Sequence, residues 1–468
     1  MQKSLSLSGK IGFILPIMMG CLVVLSMFSS HAHRLGWGQL HTSLAIGAGI
    51  GLFFWLAFST LPLTRSNSAV ISCVITLMFM TWMVYPYPII PTMVMVSTII
   101  VLYDVKPSQS RIVATITFTV VALAIVVSLG QSVYAKASYA RNEGMPQKMA
   151  VTLGTHTPDI YFIVPDRFTS PSALEECGIN IGDFVAELEA RGFYVRHDAL
   201  SEDEARPSGN FPMTTTRTLR FMASVLNMGA EVDLIIPYNL ASSQVKNHLV
   251  GRILKENGYT YHHIGDWWQE TLVNPQADYN YVYEGYSMLD YFASDELAAA
   301  IIDMSWLRVA NAGSLIPVEL LTKVNSERNL YQLATFRDIA QNGEHPKFVF
   351  AHILLPHQPY TWAKDGSVRT ESMSTMEQYL EQLQFTAGYL LQMIDAIAET
   401  DSIIIIQSDE GIAFSSPEKS NKLSNNQWNG VLTAWCVPGE DISEMEDVPI
   451  TDVLKFVIDS LTKSKSKG

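Results

Sequence analysis

Acidic residues follow two apolar stretches of this chain, at the point where each stretch ends. Asp166 comes directly after the stretch 159–165, and Asp409 with Glu410 follows the stretch 403–407. Ligand sites in parallel α/β sheets form where strands end, so we expect these three carboxylates to converge on one divalent cation. The alternative for each acid is local: a turn or helix-capping role for Asp166, and solvated loop positions for the other two.

Two threonines and a histidine could complete such a site. Thr214 and Thr218 lie in a segment that opens a helix with several hydroxyl groups. A hydroxyl near a cation and the positive end of a helix is a candidate nucleophile, whereas the alternative is a threonine-rich helix cap. His357 lies between prolines just after a strand and could contact a substrate oxyanion or a metal, or be an ordinary loop residue. His352, inside that strand, is predicted to be a core histidine.

Alternating strand and helix patterns place these residues from position 158 onward. The continuous apolar run 348–355 predicts a buried strand, and a capping-box pattern at Ser374 and Glu377 begins a long amphipathic helix. The strand 403–407 follows that helix. Strand, helix and strand in this order predict a right-handed parallel crossover, and therefore an α/β domain with a mainly parallel sheet.

The amino-terminal part of the chain has a different composition. The 468 residues are 48% hydrophobic and only 16% charged, but residues 1 to about 135 hold few of the acids, so the net charge of −14 belongs to the second half. This acidic balance argues against nucleic-acid binding. A membrane-spanning helix needs about 20 apolar residues. Five segments are candidates: 11–29, 41–63, 68–85, 89–104 and 112–133.

The basic residues near these segments predict the orientation in the membrane. With five spans, one side of the membrane collects most of the lysines and arginines: Lys3, Lys10, Arg65, Lys106 and Arg111. The positive-inside rule places that side, with the amino terminus, in the cytoplasm. The sequence therefore predicts a multispan membrane domain over 1–134, a linker over 135–157, and an extracytoplasmic domain over 158–468 at the cell (inner) membrane.

Five short segments of the second half resemble a known family. They occur in the same order behind an apolar amino-terminal half, and they are 158–168, 191–195, 223–228, 350–360 and 407–411. Together they resemble the sulfatase-like branch of the alkaline phosphatase superfamily. They look most like membrane-anchored phosphotransferases, such as lipoteichoic acid synthases and phosphoethanolamine transferases.

The resemblance implies a role for each candidate residue. Asp166 would be the first metal ligand, and Asp409 with the residue after it would complete the metal site. A threonine at a helix start would be the covalent nucleophile, and His357 would contact the transferred phosphoryl group. When the family's spacing is counted back from the segment 223–228, the nucleophile falls on Thr218. When it is counted forward from residue 210, the nucleophile falls on Thr214. The longer match on the helix side favours Thr218.

Two departures from the family pattern bear on function. Relatives usually show Asp-His-Gly where this chain has Asp409, Glu410 and Gly411. Glutamate can bind Mg²⁺, Mn²⁺ or Zn²⁺, but it adds negative charge and shifts the preference toward hard cations. A true sulfatase needs a cysteine in a Cys-x-Pro-x-Arg setting, and neither Cys177 nor Cys436 stands in one. Sulfate-ester hydrolysis is therefore not expected.

Two functional hypotheses of different classes follow. The first is a membrane-anchored, metal-dependent transferase or hydrolase of phosphate esters, which would take a lipid-linked donor and an envelope glycan acceptor. The second is a catalytically inactive member of the family that binds or organises envelope glycans. Glu410 is the main support for the second hypothesis.

Overall fold

The computed structural model divides the chain into two units, which are described separately below. The first unit comprises Met1–Arg141 with Ser287–Pro317, and the second comprises Asn142–Tyr286 with Val318–Gly468. Apart from a few single positions, the structure describes residues 7–30, 37–81, 106–141, 151–201, 214–229, 238–284, 318–369, 376–397, 401–412 and 423–463.

The first unit is built from long apolar helices. Those that the structure describes are α1 (Leu7–Ser30), α2 (Trp37–Ser59), α3 (Arg65–Met80) and α4 (Pro107–Arg141). Among them, segments of α1, α2 and α4 are long and apolar enough to cross a membrane, and α3 is apolar but shorter. The predicted span 89–104 lies outside the described residues. The predicted membrane character of this half is confirmed, and the number of spans stays a prediction.

Helices α1 and α2 pack closely because glycines line their contact. A Cβ atom at Gly47 would lie 2.5 Å from the carbonyl oxygen of Gly20, and one at Gly51 would lie 2.2 Å from that of Pro16. Only glycine allows two helix backbones to approach this closely, which is how membrane helices often gain contact area. By contrast, α4 leaves large apolar side chains such as Ile116, Val120 and Leu123 exposed, as expected of a face that meets lipid.

The second unit is an α/β domain with seven strands in one sheet. The strands are β1 (Ile160–Pro165), β2 (Tyr194–Arg196), β3 (Thr260–Ile264), β4 (Tyr279–Tyr281), β5 (Lys347–Ile353), β6 (Ile403–Gln407) and β7 (Thr433–Cys436). Their order across the sheet is β2-β7-β6-β1-β5-β3-β4. The pairs among β6, β1, β5, β3 and β4 are parallel, and β7 pairs antiparallel with both β6 and β2. The predicted mainly parallel sheet is confirmed.

Helices connect the strands of this domain. They are α5 (Pro171–Glu176), α6 (Gly182–Ala190), α7 (Thr214–Leu226), α8 (Tyr238–Lys246), α9 (Leu249–Glu256), α10 (Val318–Asn342), α11 (Met376–Ile394), α12 (Asn425–Asn429), α13 (Ile442–Glu446) and α14 (Val453–Lys463), with a 3₁₀ turn at Ile450–Asp452. The predicted parallel crossover is present, since β5, α11 and β6 follow one another along the chain and both strands pair parallel with β1. Its right-handedness stays a prediction.

Strand β1 lies in the middle of the sheet, and both of its faces are buried. Ile160, Phe162 and Val164 belong to one hydrophobic core, and Tyr161 and Ile163 belong to another on the opposite face. A central parallel strand covered on both faces is expected to be continuously apolar, which is the pattern of this segment. Because β1 cannot carry polar side chains along its length, the polar residues of the domain's centre collect at its ends.

Candidate metal centre

Side chains from three neighbouring strands meet at the carboxyl end of the sheet. Asp166 directly follows β1, Asp409 follows β6, and His352 is the second-last residue of β5. One ligand atom of each residue lies within 4.8 Å of the other two, and all three residues are buried. Distances of this size between two carboxylates and an imidazole suit a shared divalent cation.

The register of the strands explains why these three side chains converge. Strand β1 pairs with β6 from Ile160 with Ile403 onward, and the same register continued past both strand ends aligns Asp166 with Asp409. On the other side of β1, His352 pairs with Val164, which is two residues before Asp166 and therefore on the same face. Three acceptor groups are thus presented to one side of the sheet.

The group has more polar atoms than internal partners. Asp166 Oδ1, Asp409 Oδ1 and His352 Nε2 are buried and have no hydrogen-bond partner within the described protein. His352 Nε2 lies 3.5 Å from Asp409 Oδ2. Buried polar atoms normally find partners, because leaving them without one costs free energy. The three atoms therefore fit the donor set of a cation, with two oxygens and one nitrogen.

Burial and mutual repulsion shift the protonation of the two acids. Burial raises the pKa of Asp166 well above its ordinary value, and the charge of Asp409 raises it further. Burial also raises the pKa of Asp409, to about 8, and Glu410 adds to this shift. A divalent cation would reverse both effects, since it stabilises the ionised carboxylates that bind it.

Glu410 follows Asp409 in the chain, but its two carboxylate oxygens form hydrogen bonds with residues outside the group of three. Its Oε1 accepts a 2.6 Å hydrogen bond from Arg167 Nε, and its Oε2 accepts a 3.0 Å hydrogen bond from Thr218 Oγ1. The sequence predicted Glu410 as a metal ligand next to Asp409. In the structure, the third member of the close group is His352, and Glu410 joins an arginine to a threonine.

Arg167 adopts a backbone conformation that is rare for its residue type. Its φ of 67° lies in the left-handed region, which a residue with a Cβ atom adopts at some cost. This conformation accompanies the short ion pair between Arg167 and Glu410, whose side chains are only 13% and 16% exposed. Burial lowers the pKa of Arg167, but the negative charge of Glu410 and the other groups around it raise it by more, so the guanidinium stays protonated.

The two candidate nucleophiles occupy different positions on α7. Thr214 is the first residue of the helix, and its side chain lies outside what the structure describes. Thr218 lies one turn further along and is 6% exposed. Its hydroxyl donates to Glu410 Oε2 at 3.0 Å. The described contacts connect Thr218 with Glu410 of the candidate site.

His357 lies in the loop after β5, outside the group of three. Its Nδ1 contacts the carbonyl oxygen of Gln358, and its ring meets the edge of Trp267 with centroids 5.9 Å apart. Burial lowers the pKa of His357 well below its ordinary value, and the positive charge of Arg167 acts in the same direction. The ring is therefore neutral. Because a carbonyl can only accept, Nδ1 carries the proton and Nε2 presents a lone pair.

The sequence reasoning missed His352. A histidine within an apolar strand is typical of a core position, and His352 is indeed fully buried. Only its Nε2 atom, which faces the two carboxylates, shows a further role. The available signal was its place near the carboxyl end of a central strand, where the ligands of α/β sheets lie.

Comparisons with known proteins agree with the resemblance found in the sequence. Residues 212–436 match the family model described as Sulfatase, which confirms the predicted resemblance to sulfatase-like proteins. A search of curated protein sequences finds no match to this chain.

Several solved structures are similar to this chain at low sequence identity. The integral membrane lipooligosaccharide phosphoethanolamine transferase A (EptA) from Neisseria meningitidis is 11% identical, over 97% of this chain and 95% of that one, with a TM-score of 0.44. The C-terminal periplasmic domain of EcEptC from Escherichia coli, in complex with Zn, is 12% identical over 67% of this chain and 87% of that one, with a TM-score of 0.40. A 2-O GAG sulfatase is 12% identical over 65% and 70%, with a TM-score of 0.38.

Proposed function

We propose that this chain, which carries a sulfatase-like domain behind apolar membrane-spanning helices, is a metal-dependent transferase or hydrolase of phosphate esters. The observation that carries the proposal is the buried group of Asp166, His352 and Asp409, whose Oδ1, Nε2 and Oδ1 atoms have no partner within the described protein. Thr218, whose hydroxyl donates to Glu410, the chain neighbour of Asp409, is the proposed nucleophile.

The proposed first step transfers a phosphoryl group to the protein. Thr218 Oγ1 forms the new bond to phosphorus and gives its proton to Glu410 Oε2, to which it already donates. The bond from phosphorus to the leaving alcohol breaks, and its electron pair stays on the alcohol oxygen. In the second step, water or an acceptor hydroxyl attacks the phosphothreonine and releases Thr218. Each step conserves atoms and needs no oxidant or reductant.

Arg167 and His357 would support these steps from either side. The ion pair with Arg167 directs Glu410 at Thr218, so that it can take the proton. His357 is the proposed contact of the substrate's phosphoryl group.

A bound cation would supply Lewis-acid stabilisation of the charge on the phosphoryl oxygens. Asp166, His352 and Asp409 are the residues that would hold it, and three protein ligands leave a position open for substrate. Among Mn²⁺, Mg²⁺ and Zn²⁺, a mixed set of imidazole and carboxylate suits Zn²⁺ or Mn²⁺ better than Mg²⁺. We therefore propose Zn²⁺ or Mn²⁺.

The membrane helices support the choice of substrate class. We propose an inner-membrane protein with five spans over 1–134, a linker over 135–157, and the domain 158–468 on the extracytoplasmic side. A site attached to the membrane in this way has ready access to lipid-linked phosphate esters. The proposed donor is therefore a membrane lipid or lipid-linked molecule, and the proposed acceptor is an envelope glycan or water.

The experiment compares variants of the full-length protein on bis(4-nitrophenyl) phosphate, with metal content measured in parallel. We expect Thr218→Ala to lower turnover by at least about 10³-fold. Thr214→Ala is the matched control on the same helix and is expected to retain turnover. Mass spectrometry of acid-quenched protein should find phosphate on Thr218. Equal turnover in wild type, Thr218→Ala and Asp409→Ala would end the proposal.

One observation favours the inactive alternative. Both carboxylate oxygens of Glu410 are already engaged, one of them by the hydroxyl of the proposed nucleophile. An inactive protein that binds or organises envelope glycans could keep this arrangement without using it. Glu410→His distinguishes the two functions: the inactive alternative is favoured if only the variant binds Zn²⁺ or Mn²⁺, and is disfavoured if wild type binds either ion tightly.

A further inference from the structure

A loop after β3 reaches the back of the candidate metal centre. Thr271 lies in this loop, and its Oγ1 is 2.6 Å from Nδ1 of His352, the ring nitrogen that faces away from the carboxylates. Both residues are fully buried. The two ring nitrogens of His352 therefore face different surroundings: Nε2 faces Asp166 and Asp409, and Nδ1 meets a single hydroxyl.

The backbone of Thr271 is held from two sides. Its N–H donates to the carbonyl oxygen of Trp268 at 3.0 Å, and its own carbonyl accepts from Nε2 of His263 at 2.7 Å. The loop folds back so tightly that a Cβ atom at Gly265 would lie 2.0 Å from the carbonyl oxygen of Leu272 and 2.8 Å from that of Thr271. Glycine at 265 thus permits the turn that places Thr271 against His352.

Three further groups extend this arrangement into a chain of buried hydrogen bonds. The N–H of Gly251 meets His248 Nδ1 at 2.9 Å, and His248 Nε2 lies 3.1 Å from the hydroxyl of Tyr261. The same hydroxyl lies 3.3 Å from His263 Nδ1. Burial lowers the pKa of His248 to about 3 and that of His263 to about 4, so both rings are neutral.

The direction of every bond in this chain follows from its two ends. A backbone N–H can only donate, so His248 Nδ1 is unprotonated and its Nε2–H donates to Tyr261. The Tyr261 hydroxyl then donates to His263 Nδ1, which leaves the proton of His263 on Nε2. That proton meets the carbonyl of Thr271, which can only accept. The four bonds agree with one another.

We infer that Thr271 is a positioning residue that accepts a hydrogen bond from His352 Nδ1–H and so keeps the lone pair of Nε2 directed at the cation. His263, oriented by Tyr261 and His248, fixes Thr271 in the place where it does this. Histidines that bind metals commonly donate their other N–H to a nearby acceptor, which sets the tautomer and the ring orientation. The inference rests on the proposed function for the presence of a cation.

The test measures Zn²⁺ affinity in full-length protein by competition with a chromogenic chelator. Thr271→Val keeps the shape of the side chain and removes the hydroxyl, and we expect binding to weaken by about 10- to 100-fold. Thr271→Ser is expected to restore affinity to within about threefold of wild type, because its hydroxyl oxygen still accepts the hydrogen bond from His352 Nδ1–H. Thermal unfolding of the metal-free variants checks that each is folded.

A spectroscopic measurement separates positioning from general weakening. X-ray absorption of the Zn-loaded protein reports imidazole ligands through their outer-shell scattering, with His352→Ala as the reference for loss. We expect Thr271→Val, at saturating Zn²⁺, to lose part of this signal, and Thr271→Ser to keep it. If Thr271→Val fails to fold, His263→Phe takes its place, with His263→Gln as the control that keeps a donor for the Thr271 carbonyl.

The outcomes separate this inference from the proposed function. Wild-type affinity and an unchanged imidazole signal in Thr271→Val overturn the inference, as does a wild type that binds no Zn²⁺. Zn²⁺ binding that depends on Thr271, without turnover or phosphothreonine, supports the inference and contradicts the proposed function.

Discussion

Two buried aspartates lie at opposite ends of strand β1, and their surroundings differ. Asp159 precedes the strand and is 3% exposed, whereas Asp166 follows it and is 5% exposed. Asp159 Oδ1 accepts from the backbone N–H of Lys347 at 3.0 Å, and its Oδ2 lies 3.1 Å from Lys347 Nζ and 2.8 Å from His345 Nδ1. Asp166 Oδ1 has no partner within the described protein.

We propose that this difference separates a structural acid, Asp159, from a functional one, Asp166. A buried carboxylate is tolerated when a cation and hydrogen bonds compensate for its lost hydration. Lys347, which is itself fully buried, supplies that cation to Asp159 from within the chain. Asp166 instead faces Asp409, an acid that makes its burial more costly. Arg167 lowers the pKa of Asp166 but forms its short ion pair with Glu410, so we propose that a bound cation supplies the remaining compensation at this end of β1.

The substitution with the largest expected effect lies at the carboxyl end of β1. We expect Asp166→Asn to abolish saturable Zn²⁺ binding, because it removes an anionic ligand from a set of three. The metal-free variant should be at least as stable as wild type, because one of two repelling buried acids is gone. Chelator competition and thermal unfolding give the two readouts. Retained Zn²⁺ binding would show that Asp166 is not a ligand.

The matched substitution at the other end of β1 should behave in the opposite way. Asp159→Asn leaves the ammonium of Lys347 buried without its counter-charge, so we expect a loss of about 3–5 kcal/mol in the free energy of unfolding. The Zn²⁺ affinity of the folded protein should not change. Denaturant unfolding measures the first quantity. If Asp159→Asn weakens Zn²⁺ binding as Asp166→Asn does, the proposed contrast between the two ends is wrong.

The smallest expected effect is a change in how the folding stability depends on pH. Because the pKa of Asp409 is raised to about 8, the folded metal-free protein holds a proton that the unfolded chain releases near pH 4. This contribution to stability is fully present below pH 4 and is lost as the pH rises toward 8. Asp409→Asn removes it, so the variant's stability relative to wild type should increase between pH 5 and 8, by about 1.4 kcal/mol per pH unit for each proton that the folded wild type holds in excess.

The measurement for this prediction is thermal unfolding of both proteins in the presence of a chelator. Titrating groups that do not interact with Asp409 are common to the two proteins and cancel in the difference. Asp166, whose pKa Asp409 raises, contributes to the difference in the same direction. A stability difference that stays constant from pH 5 to pH 8 would contradict the raised pKa. Added Zn²⁺ should stabilise wild type but not the variant.

The sequence predicted the parts of the site that depend on local pattern. The apolar stretches ending at Pro165 and Gln407 indicated strands, and the acids after them indicated a ligand site, which is where the structure places Asp166 and Asp409. The mainly parallel sheet followed from the crossover between β5 and β6. These predictions needed only the periodicity of the chain and the rule that sites form at strand ends.

The remaining features depend on contacts between distant segments. His352 has the pattern of a core residue until the register of β5 against β1 shows which way its ring points. The partners of Glu410 depend on Arg167, whose left-handed backbone no pattern indicates for a residue other than glycine. The contact between Thr271 Oγ1 and His352 Nδ1 joins two residues that are distant in the sequence and that meet only once the loop has folded.

The fixed pairing of β1 with β6 limits how the chain can change its length. Successive side chains on a strand point to opposite faces, so a single residue inserted between Ile406 and Asp409 would turn the carboxylate away from Asp166. Insertions elsewhere between the two strands, whatever their length, do not change the face to which the Asp409 side chain points. Selection on such a protein would therefore tolerate large expansions of its connecting loops while rejecting a one-codon gain beside Gln407.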